Sequence, residues 1–552
     1  MHSVKEDKVI FIIKPDRDIF NLVFEKHLVL KTMRPNLIQN LVFVPKENYD
    51  IIEYITTNQL TASFILDDLN IDLIPIDVDL FSLERENSLK EIYIDNDYSC
   101  ISELANAVVR LELCFGKIKN KYIKGDLAQL FSKLVEEKEK ETNMKFVDDE
   151  IFNMIVIDRS IDFITLMTTN YTVEGLIDQN IGIHLGKISV KDSILNENLD
   201  MKKAKSKKPA NSMATYALTS DVNRIFCQLG CMHYLHALQY LKLLSEHYQG
   251  FVDIKKKDKS TEDMLKSVEN LQNFLKYCKN DLKRCENLIS YVVEPIFEKE
   301  YANYISKEQS LLAGKMPENL YQYYDEHLSK QKEIISLIRL MVIESLTQNG
   351  IVNYQKLKRE ILNVYGYQKI FLFRDLEILG WLKEKSKKIK LIKTELTYIN
   401  IIEKLKLINV DYNPKEINDC SYVLSGFCPI SLKLIESAIQ GSWGQSIEVI
   451  SKMSGETSYP EDETVINNPT KEKNLMLIVF VGGITYTEIE AIRYLNRKYN
   501  DEYKKGERKK TQFIILTTSI LNRKKVFDSL GKDINSIFNM KMFSEQNKEK
   551  VK

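Results

Sequence analysis

The sequence is poor in helix-breaking residues and lacks the glycine motifs of nucleotide-binding proteins. It holds 19 glycines and 11 prolines in 552 residues, less than half of the combined share of about 12% in an average protein. So few breakers predict many helices. Neither G-x-G-x-x-G nor G-x-x-x-x-G-K-[ST] occurs, which excludes the phosphate-binding loops of Rossmann and P-loop proteins.

Charge of one sign and long apolar runs are also missing. Lys and Arg number 78, and so do Asp and Glu, so the chain has no overall attraction for nucleic acid, and contact with a membrane would be peripheral. No stretch approaches the roughly 18 uninterrupted apolar residues that would cross a membrane. We therefore expect a cytoplasmic protein, whose eight cysteines are reduced thiols.

Short apolar runs alternate with helical patterns in the first part of the chain. Val9 to Ile13, Leu41 to Val44 and Phe64 to Leu66 are rich in β-branched and aromatic residues, which is typical of buried strands. Strands that alternate with helices predict a parallel sheet. We expect an open α/β domain over residues 1–135.

A second strand–helix–strand unit is predicted near the other end of the chain. Leu475 to Val481 and Phe513 to Leu516 have the apolar character of central strands. Between them, Gly482-Gly483 makes a turn, and Thr485 with Glu488 forms a capping box that starts a helix. Upstream, residues 421–430 are expected to form a strand that ends at Gly and Pro and is followed by a helix over residues 431–439.

The turn at Gly482-Gly483 allows one enzymatic hypothesis. Backbone N–H groups at a helix N-terminus bind phosphate, so an α/β nucleotide-binding enzyme could use this turn. The glycine-lysine pair Gly314-Lys315 lacks the first glycine and the hydroxyl residue of a P-loop. The motif support for a nucleotide site is therefore weak.

Three charged residues follow the apolar run that ends at Ile157. Asp158, Arg159 and Asp162 could form a metal or acid/base site. No histidine, glycine-rich loop or second acidic cluster adjoins them in sequence, so an enzyme site would be incomplete. We favour a structural ion pair that stabilises the turn.

Two cysteines and two histidines lie close together in the middle of the chain. Cys227 and Cys231 are four residues apart, with His233 and His236 nearby. The spacing matches no zinc finger or ribbon, so we predict core packing and no metal site. No catalytic residue and no cofactor is predicted anywhere in the chain.

The region from about 220 to 348 is predicted to be helical. Residues 334–350 are apolar almost all round, as in a buried helix, and Asn349-Gly350 would close it. Within 261–309 a helical hairpin is expected to carry an apolar stripe at spacings of three and four. The stripe consists of Met264, Val268, Leu271 and Leu275.

A lysine cluster precedes this helical region. Because no aromatic residues that could stack bases are interleaved with it, a solvated loop is favoured over contact with anionic lipid headgroups. Nucleic acid is not an expected partner. The cluster consists of Lys202, Lys203, Lys205, Lys207 and Lys208.

Several of these stretches together resemble the SM proteins, chaperones of SNARE assembly. The resemblance is carried by residues 157–162, 171–178 and 182–183, and it extends to 73–84, 365–382 and 482–489. The sequence Glu-Gly-Leu-Ile-Asp at residues 174–178 is similar to that of the vacuolar-sorting branch of the family. Proteins of this branch are the SM subunit of the HOPS and CORVET tethering complexes. The signature residues are Asp158, Arg159, Asp162, Glu174, Gly175 and Asp178.

The resemblance implies a fold and a set of partners. The fold would be a three-domain arch of two open parallel α/β sheet domains and a mainly helical insert. The domains implied are 1–135; 136–219 with 401–552; and 220–400, which divides into domain 3a (220–333) and domain 3b (334–400).

The partners implied are SNARE helices and a helical HOPS/CORVET-type subunit. SNARE helices would meet the Met264 stripe in domain 3a, and the tethering subunit would meet Lys358, Tyr367 and Ile370 in domain 3b. The implied protein is not an enzyme and associates peripherally with late endosomal or vacuolar membranes. The alternatives are an SM protein of another trafficking step and the nucleotide-binding enzyme.

Overall fold

A computed structural model describes most of the chain between residues 8 and 531. It divides into two compact units, Met1–Ile74 and Pro75–Lys552, which are described separately below. The segments outside the description are 1–7, 36, 45–46, 48, 59, 61–63, 70, 72, 143–151, 197–211, 256–279, 386–396, 415–416, 461–472, 505–509 and 532–552.

The first unit is built on a parallel sheet of three strands, as predicted. The strands β1 (Lys8–Ile13), β2 (Ile38–Phe43) and β3 (Ile65–Asp68) are paired in that order. Helices Arg17–Met33 and Tyr49–Thr57 connect them. Alternate strand residues pack with these helices in one hydrophobic core. Its fully buried members include Phe20, Leu41, Phe43 and Ile51.

The second unit contains a larger sheet in the order β10-β6-β7-β11-β12-β5-β4. The central strands β6, β7, β11, β12 and β5 run parallel, whereas the short edge strand β10 is antiparallel to β6. Parallel strands are buried on both faces, and residues 154–157 of β7 and 475–481 of β11 are indeed almost fully buried. The strands are β4 (Ile74–Asp77), β5 (Leu80–Ser82), β6 (Ile118–Lys124), β7 (Phe152–Asp158), β10 (Thr457–Ser458), β11 (Lys473–Val481) and β12 (Lys510–Thr517).

Helices surround this sheet and form the long middle region. A small antiparallel pair, β8 (Lys187–Lys191) and β9 (Met213–Ala217), precedes the middle helices. The predicted class, α/β with a mainly helical part, is confirmed. The helices are Ser88–Tyr93, Ser99–Phe115, Asp126–Glu141, Ile164–Met167, Val173–Asn180, Asp192–Leu195, Arg224–Gly230, Tyr234–Lys255, 280–293, Lys299–Leu312, Leu320–Ser329, Ile334–Thr347, Tyr354–Tyr365, Ile370–Ile378, Tyr398–Leu405, Ile430–Ile439, Trp443–Ile450, Tyr486–Lys504 and Arg523–Ser529.

The helix Ile334–Thr347 forms the centre of the helical region, as its apolar sequence predicts. Ten of its fourteen residues are buried. Beyond its end, Asn349 and Gly350 both adopt positive φ, and the Gly350 N–H donates to the Ser345 carbonyl at 2.8 Å. The predicted Asn-Gly closure is confirmed.

Two features differ from the predictions, one because of a local hydrogen bond and one because of strand pairing between distant segments. Residues 421–430 do not form a strand, because the Asp419 carboxylate accepts the Ser421 N–H at 3.0 Å and starts a 3-10 turn over Cys420–Val423. The second difference concerns the region 1–135, which the structure divides between the two units. Its strands β5 and β6 pair with β12 and β7, which lie beyond residue 135.

Within the described part of the chain, none of the helices is both long enough and apolar enough to cross a membrane.

The core of the first unit contains a buried histidine whose polar neighbour is Gln39. The His27 side chain is 2% exposed and lies against Phe24 and Phe64. Among the described residues, neither ring nitrogen has a hydrogen-bond partner. Burial lowers the pKa of His27 below its usual value of about 6.5. The neutral ring therefore belongs to the folded state.

We predict that this histidine makes the first unit sensitive to acid. Since the folded-state pKa is the lower one, stability is complete above about pH 6.5 and is lost as the pH falls toward that pKa. His27→Leu should stabilise the unit by about 1 kcal/mol by removing two unsatisfied polar atoms, and it should weaken the pH dependence. Hydrogen exchange of peptides from residues 8–35 at pH 7.5 and 5.5 measures both effects.

The control for this experiment is His184→Leu, which changes an exposed histidine of the other unit. Exchange in residues 8–35 should not change in this variant. Equal acid sensitivity in wild type and His27→Leu would show that the buried ring does not cause it.

Candidate functional site

A buried ion pair lies where strand β7 ends. Nη1 of Arg159 is 2.6 Å from Oε2 of Glu488, and both side chains are fully buried. Nη2 of Arg159 donates to the backbone carbonyl of Asp162. The sequence predicts an ion pair within the turn, whereas the structure gives Arg159 a carboxylate partner 329 residues later in the chain. The pair thus joins β7 to the helix Tyr486–Lys504.

The two acids beside Arg159 accept hydrogen bonds from nearby segments. Asp158 accepts the Tyr93 hydroxyl at 2.6 Å and the backbone N–H groups of Leu127 and Ser160. Asp162 accepts the Thr165 N–H at 3.0 Å and, from the start of another helix, the Ser431 N–H at 3.2 Å. These carboxylates act as caps and cross-links.

A second cluster surrounds Arg493 in the helix Tyr486–Lys504. Its guanidinium lies 2.9 Å from Asp77, Asp79 and Glu490, and 3.2 Å from Glu174. Burial, together with the neighbouring Glu490, raises the pKa of Glu174 well above its usual value. Glu174, part of the predicted signature, therefore connects its helix to the β4–β5 segment through a shared arginine.

The remaining signature residues shape the helix Val173–Asn180. A side chain at Gly175 would come within 2.8 Å of the Thr172 hydroxyl and 3.0 Å of Asn170, so only glycine fits there. Asp178 accepts the Ile183 N–H at 3.1 Å, and burial raises the pKa of Asp178 to about 6. Both residues serve local packing.

The glycine turn after β11 is closely packed on both sides. Gly482 and Gly483 adopt φ values of +90° and +105°, which favour glycine. A side chain would come within 2.8 Å of the Tyr93 hydroxyl at the first position and within 2.5 Å of Leu521 at the second. The glycines are needed to let other parts of the chain approach the turn.

The helix that follows the turn is capped by its own residues. The Thr485 N–H donates to Glu488 at 3.0 Å, and the Glu488 N–H donates to the Thr485 hydroxyl at 3.4 Å, so the predicted capping box is confirmed. Glu488 also holds Arg159. The negative charge that favours a helix N-terminus is therefore already supplied by the chain, which removes the physical basis of the nucleotide hypothesis.

The cysteine and histidine group is dispersed. Cys231 and His233 are buried, as predicted for core packing, whereas Cys227 is exposed. The His233 ring stacks against Tyr171 and Tyr234, and burial lowers the pKa of His233 to about 4. Over the described ranges, no three His, Cys, Asp or Glu side chains are placed to hold a metal ion.

An exposed apolar patch lies on the region predicted to bind a helical subunit. We call it the Tyr367 patch, formed by Tyr367, Ile370 and Ile378, which are 65%, 44% and 49% exposed. The Tyr367 hydroxyl donates to Asn363 at 2.8 Å, which orients the ring without burying it. Solvent-exposed aromatic and branched side chains of this kind often anchor an interface.

The third predicted contact residue, Lys358, is placed differently. Its Nζ lies 2.6 Å from Glu377 and over the rings of Tyr354 and Phe373, and only 16% of its side chain is exposed. Lys358 thus connects the two helices that flank the patch, while Tyr367 and Ile370 are available for contact.

A second apolar surface lies between the helices Tyr234–Lys255 and 280–293. We call it the Tyr291 groove, an open cavity of about 510 Å³. Tyr291 and Phe297 are 44% and 67% exposed at its edge. The apolar lining residues are Ile194, Leu238, Tyr291, Val293 and Phe297, and the polar ones are Asn287, Ser290 and Glu294.

Sequence reasoning did not identify this groove, because three separate segments line it. The one local signal is Pro295, which interrupts the helical pattern in a 3-10 turn over Glu294–Phe297. The stripe predicted to bind SNARE helices, Met264, Val268, Leu271 and Leu275, lies outside the described residues, and so does the lysine cluster at 202–208.

Comparison with known proteins then decides the family. The model of the Sec1 family matches residues 3–529 of the chain, which is almost its entire length. The chain belongs to the Sec1 family. Members of this family, the SM proteins, are non-enzymatic chaperones of SNARE proteins, and this SM protein is one of them.

Named relatives of this SM protein come from plants and animals. The vacuolar protein-sorting-associated protein 33 homolog of Arabidopsis thaliana is 26% identical over 87% of this chain and 79% of its own length. Vacuolar protein sorting-associated protein 33A of Rattus norvegicus is 24% identical over 93% of this chain and 85% of its own length. Vacuolar protein sorting-associated protein 33B of Homo sapiens is 25% identical over 95% of this chain and 87% of its own length.

Solved structures of other SM proteins share the fold. In the Unc18–syntaxin 1 complex from Monosiga brevicollis, the matching chain has a TM-score of 0.57 at 13% identity, covering 95% of this chain and 87% of that one. In the complex of the SM protein Vps45 with the Qa SNARE Tlg2, the TM-score is 0.57 at 14% identity, with 94% and 85% covered. These likenesses concern the fold alone.

We predict that the Arg159–Glu488 pair dominates the stability of the larger sheet in this SM protein. Glu488→Gln leaves a buried guanidinium without its counter-charge, which should lower the free energy of unfolding by about 3–5 kcal/mol. Urea unfolding followed by tryptophan fluorescence measures the loss, because Trp381 and Trp443 are both buried.

Glu448→Gln is the matched control for Glu488→Gln. This acid pairs with two lysines on the surface, and 72% of its side chain is exposed, so its loss should leave the unfolding midpoint unchanged. An equally small effect of Glu488→Gln would contradict the importance given to the buried pair.

Proposed function

We propose that this SM protein binds and templates SNARE helices for endosomal or vacuolar membrane tethering and fusion, as a subunit of a HOPS/CORVET-type complex. The single observation that carries the proposal is the similarity of nearly the whole chain to relatives named for vacuolar protein sorting. The protein would associate only peripherally with late endosomal and vacuolar membranes.

The two apolar surfaces fit the two kinds of helical partner. An amphipathic helix binds by laying its apolar side chains into a groove, and the Tyr291 groove offers five apolar lining residues with polar residues beside them. The Tyr367 patch suits a second helical partner, because its exposed apolar residues stand on a short helix with a buried opposite face. We assign SNARE helices to the groove and the tethering subunit to the patch.

The proposed division of the helical region follows from these positions. The groove lies mainly within the predicted domain 3a (220–333), and the patch lies within domain 3b (334–400). Templating would stabilise partners that are disordered alone, since a preformed surface reduces the entropy lost when they order. The buried residues beneath both surfaces support the proposal that these surfaces are rigid.

We predict that Phe297→Asp weakens binding of SNARE cytosolic domains. A carboxylate at the edge of the groove cannot be buried by an apolar helix without a large desolvation cost. The dissociation constant measured by calorimetry should rise about thirtyfold, the effect of losing roughly 2 kcal/mol at a central contact. Unchanged affinity in a folded variant would remove the groove from the SNARE-binding surface.

We predict that Tyr367→Asp removes the tethering subunit while SNARE binding survives. The substitution places a charge in the centre of the patch and should weaken capture of a HOPS-type helical subunit about thirtyfold. Quantitative pull-down measures both partners in parallel. Co-purification of the subunit with a stable Tyr367→Asp variant would show that the interface has been placed wrongly.

Val410→Asp serves as the control for both substitutions. Val410 is 90% exposed and belongs to neither surface, so the same change of charge there should leave both partners bound. A loss of binding in this variant would indicate a general effect of negative charge.

A further inference from the structure

The end of the described chain lies beside the Tyr367 patch. Gly531 follows the helix Arg523–Ser529, and its N–H donates to Asp375 at 2.8 Å. A side chain at Gly531 would come within 2.7 Å of Leu372. Asp375 and Leu372 belong to the helix Ile370–Ile378, so the described chain ends in contact with the helix that carries Ile370 and Ile378.

The exit point is held specifically. Gly531 adopts φ +64°, a backbone conformation that favours glycine, and the space beside it is filled by the Leu372 backbone and Cβ. Leu530, the preceding residue, is 4% exposed. The described chain therefore ends at a defined place next to Asp375.

The exposed stripe is within a few residues' reach of this point. Ile370, Arg374 and Ile378 are spaced by four residues and all three are exposed, so they share one face of the helix. Asp375 is half-buried and lies roughly 100° around the helix from Arg374, toward the buried side on which Leu372 lies. Because the chain spans about 3.3 Å per extended residue, the first residues after Gly531 can extend across the helix.

The sequence after Gly531 has the apolar character that would cover such a stripe. Six of the ten residues from 534 to 543 are apolar, and the last nine residues, 544–552, are almost entirely polar. The apolar residues are Ile534, Ile537, Phe538, Met540, Met542 and Phe543.

We infer that residues 532–543 bind the Tyr367 patch of the same chain and compete there with the helical partner. The competition rests on the function proposed above, whereas the binding of the segment to the patch does not. If the segment occupies the patch most of the time, the apparent dissociation constant for the partner rises to the intrinsic one divided by the fraction of patches left free. The segment would then act as a built-in competitor that only a well-matched partner displaces.

A photocrosslinking experiment on the full chain tests the contact. Replacing Tyr367 with p-benzoylphenylalanine should give adducts with peptides from 532–543 within one chain, and Phe538→Asp should reduce them at least several-fold. The same probe at Val410 should not crosslink to this segment. Absence of the adducts at position 367, or adducts only between two chains, would overturn the inference.

Two truncations test the competition. Ending the chain after Gly531 should tighten binding of a HOPS-type helical subunit about five- to tenfold, if the patch is otherwise covered for most of the time. Ending the chain after Phe543 keeps the apolar residues and should leave the affinity for the helical subunit unchanged. If the partner binds equally to all three chains, competition is overturned.

The two experiments separate this inference from the proposed function. Suppose that the crosslinking gives intrachain adducts but that none of the three chains binds the subunit. The binding of the segment to the patch would then stand, and the assignment of the patch to a tethering partner would be refuted.

Discussion

The ion pair between Arg159 and Glu488 is the constraint on which the larger unit depends. It lies at the carboxyl ends of the parallel strands, the place where α/β enzymes usually bind their ligands. Here the chain's own side chains fill that place: a guanidinium, a carboxylate, the caps made by Asp158 and Asp162, and two tightly packed glycines. The polar groups at this end of the sheet are therefore bonded to other parts of the chain and connect its segments.

Because the chain's own side chains fill the carboxyl ends of the strands, the exposed apolar surfaces lie on the helices. The Arg493 cluster and the Arg159 pair both use the helix Tyr486–Lys504 to join segments far apart in the sequence. Such buried charges are costly to desolvate, and removing one partner of a pair leaves the other uncompensated. The outcome is a firmly connected scaffold whose apolar surface is exposed in the Tyr291 groove and the Tyr367 patch, as a non-enzymatic SNARE chaperone requires.

The sequence predicted those parts of the fold that depend on local pattern. The strands near residues 9–13, 41–44, 475–481 and 513–516 and the Thr485 capping box follow from short-range signals, and the structure contains all of them. The failed strand at 421–430 shows how one side chain, Asp419, can turn an apolar run back on itself. Apolar content alone does not distinguish these outcomes.

The parts that sequence reasoning missed depend on distant contacts. Nothing near Arg159 in the sequence indicates that Glu488 is its partner. In the same way, nothing near Lys358 indicates that it pairs with Glu377. The groove is formed only when Ile194, Leu238 and Tyr291 come together. Family resemblance supplied the expected partners and the region of the patch, whereas the exposure of individual residues required the structure.

The most direct test of the central claim is the rate at which purified cytosolic SNARE domains of the endosomal or vacuolar step assemble, followed by energy transfer between labelled SNAREs. If the chain works by presenting surfaces to helices, adding it should accelerate assembly, and Phe297→Asp should abolish the acceleration. Assembly at the same rate with and without the folded chain would contradict the account.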